Sequence, residues 1–316
     1  MAVVYTSIQT AGGWQTNTVK PAWDLLFHLA LNAQPVCRQF VDVRPAQPTH
    51  TGNSITLQIK NNFSEAAVTA AKTPLTEESD VDTTQLPSTT TVTLTPAEYG
   101  FGTLRTLKIV NRSMTPVDPE IARAVGDHCG KVTDELLQDK MITGTQVYRG
   151  GGQTATNLIT AADTLTSVMI RKGVTKLRAN QVVPRDATNY VGLIHPDVSY
   201  DLRSEAGSGG WRYPMEYQTN ERLFVGEIGQ WEGARFIENA RLRTANDGAT
   251  STKVYRGFLL GREALAEAVV VEPHLVIGPI VDRLERHRPV GWYGDFDFGL
   301  FRNEAIVRFE TASAAA

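Results

Sequence analysis

The sequence predicts an α+β protein, and three observations carry that expectation. Apolar residues alternate at period two in "SITLQIK", "TTTVTLT" and "RTLKIV", between residues 54 and 110. One long amphipathic helix follows, beginning near Asp118. The chain then closes on the strand-rich stretch "GWYGDFDFGLFRNEAIVRFETA".

The composition bounds what such a fold can do. At 316 residues the chain can form one large domain or two modest ones around a sizeable core. Its net charge of −3 creates no global basic field, so any attraction to nucleic acid must be local. The six histidines form neither HxH nor HxxxH, and Cys37 and Cys129 lack metal-ligand spacing, so no metal or other cofactor is expected. Cys129 falls on the helix stripe as a small buried hydrophobe, which fits a reducing compartment. Asp24 and His28 interrupt "WDLLFHLALNA", which argues against a signal peptide. No run of 18 apolar residues exists to span a membrane, so the chain is expected to be soluble and intracellular where it is made.

Residues 1–20 read as a small, polar arm. Trp23, Leu26, Phe27, Ala30 and Leu31 then recur at helical spacing after Pro21. Ile55, Leu57 and Ile59 share one strand face, Val92 and Leu94 another, and Leu107 and Ile109 a third. Between the first two lies a Thr-, Ser- and acid-rich tip, with Glu77, Glu78, Asp80 and Asp82 within six positions. Such a two-stranded ribbon is marginal in water, because it buries too little apolar surface to offset its ordering entropy. It is expected to be covered by something else, and the simplest cover is a second copy of the chain.

The long helix has Asp118 as its N-cap, Pro119 in its first turn and Gly144 beyond its end. Ile121, Val125, Cys129, Val132 and Leu136 form its apolar stripe, and His128 belongs to the same helix face. "YRGGGQ" reads as a hinge, since no phosphate-binding glycine motif follows. A second helix is expected after it, with Thr160 and Asp163 in capping-box spacing, Leu165, Val168 and Met169 buried, and Gly173 as terminator. Arg171, Lys172, Lys176, Arg178 and Arg185 then cluster without an acid among them.

"HPDVSYDLRS" at 195–204 concentrates the most chemistry. It follows the apolar run "YVGLI", so His195 is expected at a strand-to-helix junction, with Asp197 in the helix's first turn. Val198 and Leu202 should face inward, and Asp201 and Arg203 elsewhere. A hydrolase using His195 with Asp197 or Asp201 is the competing reading. Neither Ser199 nor Ser204 sits in a GxSxG elbow, so no activated nucleophile is evident.

This segment, with Trp211 and "LFVGEIGQWEGARFIENARL" at 223–242, resembles a block of tailed-bacteriophage major capsid proteins of the Hong Kong 97-like fold. The rest agrees in layout. The resemblance implies an N-terminal arm at 1–48, an extended hairpin loop at 49–115 and a spine helix of the peripheral domain at 116–149. It further implies an axial domain at 150–265 and closing strands of the peripheral domain at 266–316. It implies a non-enzymatic shell protein that forms hexamers and pentamers, assembles in the host cytoplasm and ends in the virion. Packaged double-stranded DNA would be contacted nonspecifically, and no membrane is involved. Two departures matter. The hairpin starts too early to leave room for a long scaffolding segment, so a separate scaffolding protein, or none, is expected beside the portal. Lys60 and Lys72 could serve the family's isopeptide cross-link, but no matching Asn or Glu motif accompanies them. Contacts between copies are expected to pair Glu77, Glu78, Asp80 and Asp82 with Arg171, Lys172, Arg178, Arg283 or Arg286. A β-rich attachment or decoration protein is a third possibility, against which the long helix argues.

Overall fold

Two sheets share one long helix in the computed structural model. It describes residues 37–45, 53–60, 63–72, 74, 77, 85–113, 117–186, 188–204, 227–231, 233–280 and 282–315. The helix expected at 21–33, the acids Glu78, Asp80 and Asp82, and Trp211 lie outside these residues.

In chain order the elements are β1 (Asp42–Pro45), β2 (Ile55–Lys60), α1 (Glu65–Ala71), β3 (Thr89–Leu94), β4 (Ala97–Thr106), α2 (Leu107–Arg112) and α3 (Val117–Met141). There follow β5 (Val147–Arg149), α4 (Ser167–Ala179), β6 (Tyr190–Ile194), α5 (Pro196–Ser204), β7 (Glu227–Trp231), β8 (Ala234–Glu238) and β9 (Thr244–Ala245). Three longer strands and one shorter close the chain: β10 (Val254–Leu260), β11 (Leu265–Ile277), β12 (His287–Leu300) and β13 (Ile306–Thr311). A four-stranded sheet runs β1-β11-β12-β4, and a seven-stranded sheet runs β5-β13-β10-β6-β8-β7 with β9 beside β10. β2 and β3 form a separate ribbon.

α3 lies against the four-stranded sheet. Ala122 packs on Val290, His128 bonds Trp292 and Lys140 meets Asp297, all on β12, while Gly126, Gly130 and Thr133 are buried as well. Val125 and Cys129 are buried and Ile121, Val132 and Leu136 pack against the core half-buried, so the expected stripe holds and the buried face of α3 is wider than it. Asp118 lies inside the helix rather than at its cap and meets Arg105 at 3.2 Å. Along β12, Val290, Trp292, Phe296 and Phe298 are buried and alternate with partly exposed residues, the signature of a sheet covered on one face. β6 is buried at all five positions, as befits a strand flanked by β10 and β8. Of the closing strands, β11 and β12 lie in the four-stranded sheet, whereas β13 pairs with β10 and β5 in the other.

Several local expectations are corrected. "RTLKIV" is not a strand: β4 ends at Thr106, whose hydroxyl caps α2 by accepting from the Ile109 amide at 3.4 Å. Leu107 and Ile109 are exposed, so two apolar residues two apart did not mark a pleated face. The second helix starts at Ser167, not after Thr160; Asp163 instead closes a turn by accepting from the Thr160 amide at 2.7 Å. Val168 is exposed, and Gly173 lies mid-helix, where an added Cβ would come within 2.7 Å of Phe309. That glycine permits close packing and does not terminate the helix. The glycine triplet forms a 3-10 turn in which Gly151 has φ of 62°, a conformation suited to glycine.

Candidate functional site

The segment His195–Ser204 is where the sequence concentrates titratable groups. β6 ends at Ile194, Pro196 opens α5, and Val198 and Leu202 are buried beneath it as expected. The Asp197 amide donates to His195 Nδ1 at 3.2 Å, and the ring also bonds the backbone at Ala240. Burial lowers the imidazole pKa below its ordinary value, with the Asp197 charge opposing it, so the ring is held neutral. The Tyr255 hydroxyl donates to Asp197, and Lys253 sits 3.8 Å from the same carboxylate. Asp201, expected to point away, is instead buried and accepts from the Ala314 amide at 3.2 Å. Ser313 Oγ donates to the Asp197 carbonyl at 2.9 Å, so the C-terminal segment is tied down on α5.

Hydrolysis would need a nucleophile within reach of the base. The Ser199 hydroxyl is directed at Glu238 and the Pro196 carbonyl, not at His195. Arg203 binds the same Glu238 at 3.1 Å. Each polar group here is occupied by a neighbour that fixes a corner. His128 is likewise structural: Trp292 Nε1 donates to its Nδ1 at 3.1 Å, and its ring stacks on Phe101 with centroids 4.3 Å apart.

The ribbon pairs Ile55 with Leu94, Leu57 with Val92 and Ile59 with Thr90, so the expected alternation holds. Its root is anchored on its own subunit, which corrects the expectation that only a second copy could cover it. Leu94 is 2% exposed against Ala266 and Ala268, in a socket that a side chain at Gly299 would fill. Farther out the support ends. Phe63 and Val68 are exposed, and Leu86 is 84% exposed. The tip also holds α1, capped by Ser64 accepting from the Ala67 amide, which the Ser-Glu pair preceding "AAV" could have signalled.

Of the residues expected at contacts between copies, Glu77 is exposed near this tip. Arg171 and Lys172 are exposed on α4, with the Arg171 guanidinium 5.7 Å from the Trp231 ring centroid. Arg178 is exposed on the same helix and bonds the Tyr190 hydroxyl. Arg283 and Arg286 are exposed between β11 and β12, and Arg286 pairs with Asp282 at 2.7 Å. Arg185 departs from the basic cluster: it turns inward to Asp42 at 3.4 Å. Sequence reasoning missed exposed apolar residues at and beside the same end of the four-stranded sheet: Leu104 and Val276 on its face away from α3, Phe101 on the α3 face, and Ile280 and Leu284 between β11 and β12. The signal of Phe101 and Leu104 was present in "YGFGTL" but diluted by glycines. Among the described residues, no group of acids, histidines and cysteines is placed to hold a metal, and no helix is long and apolar enough to cross a membrane.

Residues 139–292, just under half of the chain, match the family described as phage capsid protein. The fold is similar to the capsid of Ralstonia phage GP4, with a TM-score of 0.69 at 13% identity over 87% of each chain. It is similar to the cyanophage Pam1 capsid, with a TM-score of 0.63 at 14% identity over 85% of this chain and 87% of that one. The mature capsid of bacteriophage PhiM1 gives 0.61 at 13% identity over 87% and 86%. No curated protein sequence matches the chain.

Proposed function

We propose that the chain is a phage major capsid protein, a reading supported by the phage capsid family match over residues 139–292 and by the capsid fold, and that its surface builds a shell. One observation carries the proposal. The β2–β3 ribbon is packed on its own subunit at the root and exposed beyond it, so its outer length is available to a neighbour. Neighbouring copies cover this ribbon, and copies meet in rings of six and five that close by symmetry.

Leu104 and Val276, exposed on the face of the four-stranded sheet away from α3, with Leu107, Ile280 and Leu284 beside its end, form a second contact. Scattered exposed apolar residues need no explanation, but a group at one sheet end marks an interface. Arg283 and Arg286 stand beside it and receive the acidic tip of a neighbouring hairpin, in preference to Arg171, Lys172 and Arg178 on α4. Each exposed pair contributes only about 0–1 kcal/mol, so these charges set register over many repeats and do not drive assembly. A separate scaffolding protein and a portal complete the head, which assembles in the host cytoplasm and holds double-stranded DNA nonspecifically. With a net charge of −3, an isolated subunit binds DNA weakly at physiological salt.

Negative-stain microscopy of the expressed full-length protein, alone and with its neighbouring gene products, tests the proposal. Closed shells of uniform diameter are expected. A monodisperse monomer under every condition would overturn it.

A further inference from the structure

The block "FIENARLR" contains a second device, used by neither the corner nor the ribbon. Asp134 of α3 is 1% exposed, yet its carboxylate meets three neutral donors from separate places in the chain. The Cys37 amide donates at 3.0 Å, the Gln138 side chain at 3.0 Å and the Asn239 side chain at 3.1 Å. Gln138 and Asn239 are nearly as buried and continue the network. Gln138 accepts from the Arg243 amide at 2.8 Å and donates to the Arg241 carbonyl at 3.2 Å, while Asn239 accepts from the Arg241 amide at 2.9 Å. At the surface Arg241 meets Glu135 at 3.0 Å and Arg243 meets Asp139 at 3.1 Å, so the turn between β8 and β9 is zipped along one helix face.

The connections explain what this zipper joins. Asn239 follows β8 directly, and its amide donates to the Ile194 carbonyl at 3.0 Å, which fixes it to the seven-stranded sheet. Arg38, next to Cys37, binds Glu267 of β11 at 2.8 Å, which fixes the same short segment to the four-stranded sheet. α3 itself lies on that second sheet through Ala122 and Val290. A buried carboxylate is satisfied only when all of its donors are present, because a missing donor leaves a polar group desolvated and unpaired. The junction is therefore close to all-or-none and resists gradual sliding.

We propose that Asp134, Asn239, Arg241 and Arg243 form a clasp that sets the angle between the two sheets, and that this angle selects one shell diameter. Asp134 and Asn239 are positioning residues, and the exposed pairs with Glu135 and Asp139 hold the register. The shell-size part rests on the proposed assembly. The clasp itself does not, because its opening is measurable in the free subunit.

The test uses full-length protein carrying Cys129→Ala, so that Cys37, fully buried beside the clasp, is the one reactive thiol. The variants are Asp134→Asn, the double charge reversal Arg241→Glu/Arg243→Glu, and the reciprocal swap of both pairs, in which Glu135→Arg and Asp139→Arg are added. The first two are expected to keep wild-type circular dichroism. They should raise Cys37 labelling about tenfold and cut the fraction of particles at the wild-type diameter at least twofold. The reciprocal swap restores both readouts toward wild type. Should Asp134→Asn fail to fold, the surface reversal decides alone. Unchanged labelling with uniform wild-type shells in the reversed variant overturns the clasp. An absence of particles in wild type overturns the shell reading, while Cys37 labelling still decides whether the clasp exists.

Discussion

Glu267 shows how a single residue carries tertiary information that sequence reading misses. It is 1% exposed, and Arg38 of the N-terminal segment reaches it across more than two hundred residues of chain. Burial pushes its carboxyl pKa above the ordinary value, and Arg38 pulls it back only partly. A carboxyl raised in this way favours the fold at acid pH and loses that contribution as pH rises through its folded value. Removing Arg38 leaves the charge uncompensated, so Arg38→Met should destabilise by about 3–5 kcal/mol at neutral pH. The loss should shrink near pH 4.5, where the orphaned carboxyl takes up a proton. Urea unfolding at both pH values checks this, and equal losses would contradict it. His195 has the opposite sign. Its pKa is lowered by burial, so its contribution is complete above the ordinary value of 6.5 and is lost as pH falls through the lower folded value. His195→Gln should flatten the stability profile on that acid side, and an unchanged slope would refute the assignment. The corner itself was legible, because an apolar run followed by His-Pro-Asp dictates a strand, a turn and a helix start. The inward turn of Asp201 was not, because its partner Ala314 lies at the far end of the chain.

Elements were readable where period and caps agreed. β2, β3 and α3 have clean patterns and appear where expected, although Asp118 lies inside α3 and the helix's buried face is wider than its apolar stripe because Gly126 and Gly130 carry no apolar signal. β4 was lost for a related reason: Gly100 and Gly102 weaken a strand signal. They serve a close crossing of backbones, since a Cβ on Gly100 would stand 2.9 Å from the Trp292 carbonyl oxygen. The facing Gly291 is tighter still, at 2.5 Å from the Phe101 carbonyl oxygen. Gly291→Ala should therefore cost about 1–3 kcal/mol, measured as a lower thermal midpoint, with amide exchange rising first in β4. A midpoint equal to wild type would show that the strands separate without strain. The helix-capping reading of Thr160 and Asp163 had the right hydrogen bond and the wrong element, because the same side-chain geometry also closes isolated turns.

At the scale of the whole molecule, the resemblance carried by "HPDVSYDLR" and "RFIENARL" anticipated the α+β capsid fold that periodicity alone could not assemble. Long-range partners such as β1 beside β11 and β5 beside β13 leave no local trace. Neutralising the tip acids Glu77, Glu78, Asp80 and Asp82 to the corresponding amides should slow assembly while the subunit's thermal midpoint stays within about 2 °C, because exposed charges contribute little to the fold. Light scattering at low and high salt follows this, and assembly rates equal to wild type at both would count against a charged register. The central claim is that the ribbon gains its remaining order from sister copies. Hydrogen exchange of Ile55–Lys60 and Thr89–Leu94, compared between assembled particles and the isolated subunit, tests it most directly. At least about tenfold slower exchange in particles is predicted. Equal protection in both states would show that the ribbon is ordered by its own subunit alone.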